Sequence, residues 1–330
     1  MINKIKAVAL FSGGLDSILA IKLIMIQGIE VIGVNFKTPF FGLDEYPSIK
    51  SFDINLKIID ISNEYMRILK NPIHGYGKNI NPCIDCHAFM FKKAGEYMSR
   101  INASFIISGE VLGERPMSQN KGSLRTIEKE SGYPGLILRP LSALLLKETI
   151  PEKTGQVNRN QLLDISGRSR KRQIELASRM GIENYPSPAG GCKLTEPGFS
   201  HRLKDLFIQK KYSLEDIELL KIGRHFRLDK NTKIVVGRNK DENSQMERYF
   251  HNGDILLKAR DLKGPISLLK TNGNLNDELI NQACRIIARY CDKEEFDEIE
   301  INYYYYSHQD DPKNKKVKPM KEKQLDIIRI

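Results

Sequence analysis

The stretch AVALFSGGLDS at residues 7–17 reads as a buried strand, a glycine turn and the start of a helix. Residues 7–11 are continuously apolar, which is typical of a strand covered on both faces. The apolar residues of 18–28, ILAIKLIMIQG, follow helical spacing, and Gly28 closes that helix. This order predicts the first unit of a parallel sheet that carries its ligands at the carboxyl ends of its strands.

The same alternation continues through the first 200 residues. A polar helical stretch is expected at residues 47–52, and further strands are expected at residues 31–36, 56–61, 104–108 and 136–138. The predicted fold class is therefore α/β, with a parallel-sheet nucleotide-binding domain over residues 1–200.

The second part of the chain has a different pattern. Residues 201–232 are predicted to form a helical, charge-rich connector. Residues 233–330 combine short strand-like runs with one helical stretch at 277–290, which predicts a smaller α+β domain. The lysine-rich segment 310–324 holds two prolines, so we expect a loop or a mobile strand connection there.

Composition limits the class of protein. The chain has 52 Lys and Arg against 41 Asp and Glu, a formal net charge of +11, which favours a polyanionic partner such as nucleic acid. The alternative is that the excess of lysine only reflects solubility. No run of about 18 apolar residues occurs, and five cysteines fit a reducing compartment, so we expect a soluble, cytoplasmic protein without a membrane partner.

The glycine turn is a candidate phosphate site. Unpaired backbone N–H groups at the start of a helix can receive phosphate, and two glycines let the anion approach closely. Hydroxyls can add donors, and Asp16 can help to hold Mg²⁺ or orient the loop. The lysine of a GK[ST] loop is absent, and an ordinary capped turn is the alternative. The candidate residues are Ser12, Gly13, Gly14, Leu15, Asp16 and Ser17.

Three cysteines form a candidate metal site. Cys83 and Cys86 lie one helical turn apart in NPCIDCH, and Cys192 follows in PSPAGGC. Three thiolates can hold three corners of a 4Fe-4S cubane, but a zinc site using His87 and a redox disulfide remain open. Cys284 and Cys291, which are spaced i and i+7 on a helix, are expected to be core thiols.

Two basic runs are candidate RNA contacts. The run SGRSRKRQ lies at the start of a helix near Cys192, and a second run follows the tyrosines 303–306. The alternative for the first run is a solvated helix face. The alternative for the tyrosines of the second is the core side of a strand. The candidate cations are Arg168, Arg170, Lys171, Arg172, Lys313, Lys315 and Lys316.

SGGLDS resembles the PP-loop of the ATP pyrophosphatase family. NPCxxC, SGEVLGERPMSQ at 108–119 and GGCxLT at 190–195 resemble the tRNA thiouridine synthetases of that family, over roughly residues 5–200. The resemblance implies an adenine nucleotide alpha hydrolase-like fold, with ATP and Mg²⁺ at residues 12–17 and at Gly109. It also implies a 4Fe-4S cluster on Cys83, Cys86 and Cys192, with catalytic roles for Asp16, Cys83 and Cys192.

This chain departs from better-known members in two ways. The loop begins at residue 12, so we expect their N-terminal RNA-binding extension to be absent, and we also expect no rhodanese-like segment. We therefore expect RNA capture and sulfur delivery to be arranged differently. A persulfide relay through a catalytic disulfide remains an alternative to the cluster.

Residues 235–265 resemble the RNA-binding domain of NFACT-type proteins. The resemblance is carried by GRN..EN and a later lysine-bearing strand, and it implies an RNA contact at Arg238. The matching positions are Gly237, Arg238, Asn239, Asn243, Lys258 and Gly264.

These resemblances imply an ATP-dependent tRNA sulfurtransferase that adenylates a uridine carbonyl oxygen and replaces it with sulfur, giving 4-thiouridine or 2-thiouridine. The expected partners are tRNA and either sulfide or a sulfur-carrier protein, and we allow for a homodimer. Two other classes remain open. One is a PP-loop enzyme of small-molecule metabolism, by deazapurine amidation or sacrificial sulfur transfer, and the other is a non-enzymatic RNA-binding module.

Overall fold

The computed structural model describes residues 4–42, 53–183, 185, 192–209, 212–292 and 298–330. The chain divides into two compact units, Met1–Thr195 and Glu196–Ile330. The division falls near the predicted end of the first domain at residue 200, and the predicted connector 201–232 lies within the second unit. The helix expected at residues 47–52 lies outside the described residues.

The first unit contains a five-stranded sheet in which all paired strands are parallel, with the order β3-β2-β1-β4-β5. This arrangement confirms the predicted fold class. The strands are β1 Lys6–Leu10, β2 Glu30–Lys37, β3 Asn55–Asp60, β4 Phe105–Ile107 and β5 Ile137–Leu138. The helices are α1 Leu15–Met25, α2 Ser62–Lys70, α3 Cys83–Arg100, α4 Lys121–Ser131, α5 Ile150–Lys153 and α6 Lys171–Arg179.

Helices cover both faces of this sheet, which explains the uninterrupted apolar strands. Ala7 and Ala9 of β1 pack in a core with α1 and with Ala177 of α6. Val8 points to the opposite face, where it packs with Phe91 of α3 and Ile127 of α4. Successive side chains of a strand alternate between faces, so both sets of positions must be apolar.

The second unit contains a six-stranded antiparallel sheet with the order β11-β10-β8-β9-β7-β6. The strands are β6 Arg224–Arg227, β7 Thr232–Val236, β8 Ile255–Ala259, β9 Ser267–Thr271, β10 Ile299–Tyr305 and β11 His308–Val317. The helices are α7 Pro197–Ile208, α8 Leu214–Leu219, α9 Lys240–Arg248, α10 Asp277–Arg289 and α11 Glu322–Ile328. The predicted smaller α+β domain is confirmed.

Different helices cover the two faces of this second sheet. Ile234 of β7 packs against α10 in one core. Its neighbour Val235 packs on the other face with Leu219 of α8 and Met246 of α9.

The expectation of a loop or mobile connection at residues 310–324 is wrong. Most of this segment forms the edge strand β11, which pairs with β10 in antiparallel register from Ile299↔Val317 to Tyr305↔His308, and α11 follows it. Pro312 is tolerated because an edge strand uses only one side for backbone pairing. Within the described residues, no helix is both long and apolar enough to cross a bilayer.

Candidate active site

The strand order places a topological switch point between β1 and β4. The chain leaves β1 toward β2 on one side and continues from β4 toward β5 on the other. Loops that follow the two strands therefore diverge at the carboxyl edge and leave a crevice, which is where ligands of open α/β sheets bind. The loops concerned are the glycine turn after β1 and the segment 108–119 after β4.

The glycine turn is shaped by its own hydrogen bonds. Gly13 has a φ of 79°, a left-handed conformation that glycine adopts without strain. The Ser17 hydroxyl donates to the carbonyl oxygen of Gly14 at 2.7 Å, and the Gly14 N–H donates to Ser12 Oγ at 3.3 Å. Leu15 is the first residue of α1, so the turn presents the positive end of that helix.

Gly109 lies directly against this turn. A methyl group at Gly109 would lie 2.6 Å from the backbone nitrogen of Ser17 and 2.7 Å from the carbonyl carbon of Asp16. These distances are shorter than a Cβ can approach backbone atoms. The sequence SGE after β4 therefore meets SGGLDS after β1 only because residue 109 has no side chain.

Asp16 lies among cationic and polar groups that come from distant parts of the sequence. Burial raises the pKa of its carboxyl, and Arg170, Gln173 and Arg115 act in the opposite direction. The distance between Arg170 Nη2 and Asp16 Oδ2 is 3.9 Å.

Several buried polar atoms at this point have no hydrogen-bond partner within the described residues. They are Asp16 Oδ1, Arg170 Nε, and the amide oxygen and nitrogen of Gln173, whose side chain is fully buried. Buried polar groups are normally paired, so unpaired acceptors and donors beside a helix N-terminus fit a bound phosphate ester and its cation.

The predicted cluster cysteines come close to one another in the first unit. Cys83 and Cys86 lie in the first turn of α3, and the Cys86 side chain is buried. Burial raises the pKa of the Cys86 thiol well above its usual range, and Cys192 and Cys83 raise it further. Burial also raises the pKa of Cys83, while Arg115 lowers it.

A hydrogen bond from the Asn79 side chain to the backbone of Thr195 places the Cys192 segment beside the start of α3. Asn79 lies four residues before Cys83 and donates from its side-chain amide to the carbonyl oxygen of Thr195 at 2.7 Å. Thr195 in turn donates to the carbonyl oxygen of Cys192 from its backbone N–H at 2.8 Å and from its hydroxyl at 2.7 Å. Residues 190 and 191 of the GGC motif lie outside the described residues.

The three thiols are neighbours, but they are not arranged around a single metal position. Within the part of the chain that the structure describes, no three His, Cys, Asp or Glu side chains are grouped so as to hold a metal ion. A zinc ion needs its ligands around one centre, whereas a cubane takes each thiolate on a different iron. Three thiols are the donor set that a 4Fe-4S cluster would use, and the ligand roles of the cysteines stay a prediction.

His87, the alternative zinc ligand, takes part in a buried ion network. Its Nδ1 lies 2.7 Å from Glu110 Oε1, and Arg139 Nε donates to Glu110 Oε2 at 2.9 Å. Burial alone would raise the pKa of Glu110, but Arg139 and His87 outweigh it and lower that pKa to about 2. Glu110 therefore carries a buried negative charge next to Gly109.

The structure separates the members of the first basic run. Arg170 turns toward Asp16, and Arg172 pairs with Asp164 at 2.6 Å. Arg168 and Lys171 are exposed at the start of α6. Arg168 and Lys171 make no ion pair among the described residues, and the RNA contacts of the whole run stay a prediction.

The candidate RNA-binding residues of the second unit also differ in the contacts that their charged groups make. Arg238 pairs with Glu242 one helical turn ahead. Lys315 pairs with Asp277 at 2.8 Å, whereas the Lys313 ammonium lies 5.5 Å from the ring centre of Tyr305. Lys316, which follows Lys315 on β11, points to the opposite face and lies 3.8 Å from Glu298.

Sequence reasoning missed four residues that build the site: Arg115, Glu110, Arg139 and Gln173. Two of them lie within SGEVLGERPMSQ, so that motif was found but only its glycine was selected. Arg139 directly follows β5, and a cation at the carboxyl end of a parallel strand is a usable signal. Gln173 gives no signal in the sequence, because only the packing of α6 brings it to Asp16.

The chain matches two protein families, one within each of its two compact units. Residues 3–162 match the family described as Thiamine biosynthesis protein (ThiI). Residues 223–327 match the family described as NFACT protein RNA binding domain.

Individual relatives are similar over different spans. A protein of Thermococcus kodakarensis named "Probable tRNA sulfurtransferase" is 29% identical over 154 residues, which are 44% of this chain and 39% of that protein. The tRNA-specific 2-thiouridylase MnmA of Petrotoga mobilis is 25% identical over 78% of this chain and 76% of its own length. A 4-thiouridine synthetase solved with RNA and bound ATP is 18% identical, with a TM-score of 0.32 over 54% of this chain and 51% of that one.

Gly109→Ala tests the contact at the switch point. The added methyl group must displace the backbone of residues 16 and 17, so we expect ATP binding measured by calorimetry to be lost while the far-ultraviolet circular dichroism spectrum is retained. Gly198→Ala is the control, because its nearest contact, with a flexible arginine side chain, is an ordinary 3.6 Å. Unchanged ATP affinity in Gly109→Ala would contradict a nucleotide site at the turn.

Glu110→Gln tests the buried charge. Because the folded pKa of Glu110 is lowered from 4.5 to about 2, its contribution is fully present above pH 4.5 and is lost as the pH falls through 2. Urea unfolding of the wild-type chain should show this loss, on the order of 3 kcal/mol. The variant should be less stable at pH 7 and should show a shallower decline between pH 4.5 and 2. Glu130→Gln, at an exposed position of α4, should retain the wild-type profile.

Proposed function

We propose that this protein is an ATP-dependent tRNA sulfurtransferase. Residues 3–162 match the ThiI family, and residues 223–327 match the NFACT RNA binding domain family. The relatives named as a tRNA sulfurtransferase and a tRNA 2-thiouridylase support the same reaction class. The first of them is matched over only 39% of its length, so the activity of the whole chain is part of the proposal.

One observation carries the proposal. The positive charge of Arg115 acts to lower the pKa of both Asp16 in the glycine turn and Cys83 at the start of α3, so both residues lie within its electrostatic reach. A nucleotide held at the turn and a sulfur held at the cysteines would therefore both lie near the same cation. A uridine placed between them could be activated by one and attacked by the other.

The first step activates the uridine. Its carbonyl oxygen attacks the α-phosphorus of ATP, an O–P bond forms, and pyrophosphate leaves with the bond electrons. The backbone N–H groups of residues 12–17 and the positive end of α1 stabilise the charge that develops on pyrophosphate. Arg170 and Arg115 add cationic charge around Asp16, whose carboxylate would hold Mg²⁺ against the phosphates.

The second step replaces oxygen by sulfur. A sulfur nucleophile adds to the activated ring carbon, AMP leaves with the former carbonyl oxygen, and the thiocarbonyl remains. Cys83, Cys86 and Cys192 would hold a 4Fe-4S cluster, which would supply a Lewis-acidic iron that keeps a sulfur nucleophile deprotonated. Whether the product is 4-thiouridine or 2-thiouridine depends on which carbonyl the RNA presents.

The reaction itself is tested by incubating the anaerobically purified chain with unmodified tRNA, Mg-ATP and sodium sulfide. Mass spectrometry of the digested tRNA should show one thiolated uridine, and AMP should appear in the same amount. AMP formed without thiouridine, or only in the presence of a small-molecule acceptor, would favour the metabolic alternative. Neither product would favour a non-enzymatic RNA-binding role.

The cluster assignment is tested by metal analysis. Anaerobic protein should contain iron and acid-labile sulfide, about four of each per chain. Cys83→Ser and Cys192→Ser should lose the visible absorption of the cluster and the thiolation activity together. Cys284→Ala, which changes a buried thiol of the second unit, should keep both. Stoichiometric zinc without labile sulfide would contradict the cluster.

The RNA contacts of β11 are tested by a pair of lysines on one face of that strand. Lys313→Gln should weaken tRNA binding and reduce the slope of log K against log salt concentration by about 0.7 to 0.9, the value for one lost phosphate contact. Lys315→Gln should change the slope much less, because Asp277 already neutralises that ammonium. Equal slopes for the two variants and the wild-type chain would remove β11 from the RNA interface.

A further inference from the structure

A polar cavity of about 250 Å³ lies in the second unit, on the face of the sheet that is covered by α7, α8 and α9. It is smaller than the roughly 300 to 1,000 Å³ of pockets for drug-sized ligands. Amide and aromatic side chains line much of its wall. They include Gln209, Asn231, Asn252, Asn272, Tyr249 and His251.

Three cations lie side by side at one end of this cavity. Arg227 on β6 is in register with Lys233 on β7, which is in register with Lys270 on β9. Like charges on directly opposed strand positions destabilise a sheet, so this row needs compensation.

Two members of the row are compensated by carboxylates. Arg227 makes a bidentate contact with Asp205. Lys270 donates to Asp254 Oδ2 at 2.8 Å and lies 3.9 Å from Asp216 Oδ1. The central residue, Lys233, makes no such contact with a carboxylate among the described residues.

Lys233 is a buried amine without a partner. Its side chain is 5% exposed, and its Nζ has no hydrogen-bond acceptor among the described residues. Burial lowers the pKa of Lys233 to about 8, although Asp216 acts in the opposite direction. An unsatisfied buried donor is unfavourable, so a ligand that brings an acceptor into the cavity stabilises it.

The charges around the cavity select the kind of acceptor. Asp205, Asp216 and Asp254 equal the three cations in number, and Glu215 adds a further carboxylate, which lies 3.0 Å from His251. A phosphate dianion would therefore enter a region without excess positive charge. A neutral group with both donors and acceptors suits the amide-lined wall, and the Tyr249 ring offers a stacking surface.

We propose that this cavity holds a single unstacked base of an RNA ligand, which accepts a hydrogen bond from the Lys233 ammonium. Unstacked bases are recognised by hydrogen bonds along their edges and by stacking on aromatic rings, and both kinds of group are present here. The inference rests on the proposed function in that the RNA would be the tRNA substrate. It adds a base contact to the phosphate contacts of the exposed lysines.

The first test compares two lysine variants of the full chain. Lys233→Met removes the ammonium and nearly keeps the side-chain length, and we expect about a tenfold loss of affinity for an unmodified tRNA transcript at constant salt. Its melting temperature should stay the same or rise, because methionine is buried at no cost in unpaired charge. Lys230→Met removes an exposed charge outside the cavity and should have a much smaller effect on affinity. Equal affinities for the two variants would overturn the proposal.

The second test does not depend on tRNA. Reductive methylation of Lys233 is followed by mass spectrometry in the presence of adenosine, guanosine, cytidine, uridine or inorganic phosphate. Protection by at least one nucleoside, without protection by phosphate, supports a base site. Protection by phosphate alone, or by none of the probes, overturns it. Failure of the proposed function would appear instead as tRNA without thiouridine, with the nucleoside protection of Lys233 unchanged.

Discussion

The close contact between Gly109 and the backbone of residues 16 and 17 is the constraint on which the candidate active site depends. It joins the loops that follow β1 and β4, and those two strands flank the switch point of the parallel sheet. Because the loops touch, the residues after Gly109 are carried to the nucleotide side of the sheet. Glu110 can then pair with Arg139 after β5, and Arg115 can reach both the glycine turn and Cys83.

The electrostatics of the first unit follow from this arrangement. Burial and the neighbouring thiols of Cys192 and Cys83 raise the pKa of Cys86, which is unfavourable for any chemistry that needs a thiolate there. Burial also raises the pKa of Cys83, and the positive charge of Arg115 partly offsets that rise. A polycationic metal centre would supply far more, since a coordinated thiol is deprotonated outright. The same surroundings would disfavour a reactive thiolate at Cys86 in the absence of such a centre.

Much of the fold could be predicted from the sequence, because its apolar runs are long and are separated by clear turns. The strands at 104–108 and 136–138 were recognised although only three and two of their residues pair. The lysine-rich strand β11 was missed, since its partner β10 supplies the apolar side of the pair and local composition cannot reveal a partner. The proximity of Arg170 to Asp16 was also missed, because the packing of α6 sets it and no local pattern encodes that direction; the RNA contact of Arg170 stays a prediction.

The two edges of the antiparallel sheet have a consequence for the behaviour of the protein at high concentration. At one edge, β11 presents Pro312 and several lysines, which resist the addition of a strand from a neighbouring molecule. At the other edge, Arg329 bridges to Phe226 of β6, and Ile330 donates to the carbonyl oxygen of His225 at 3.0 Å. Both edges thus disfavour pairing with a strand of a neighbouring molecule, which is the route by which sheet proteins commonly aggregate.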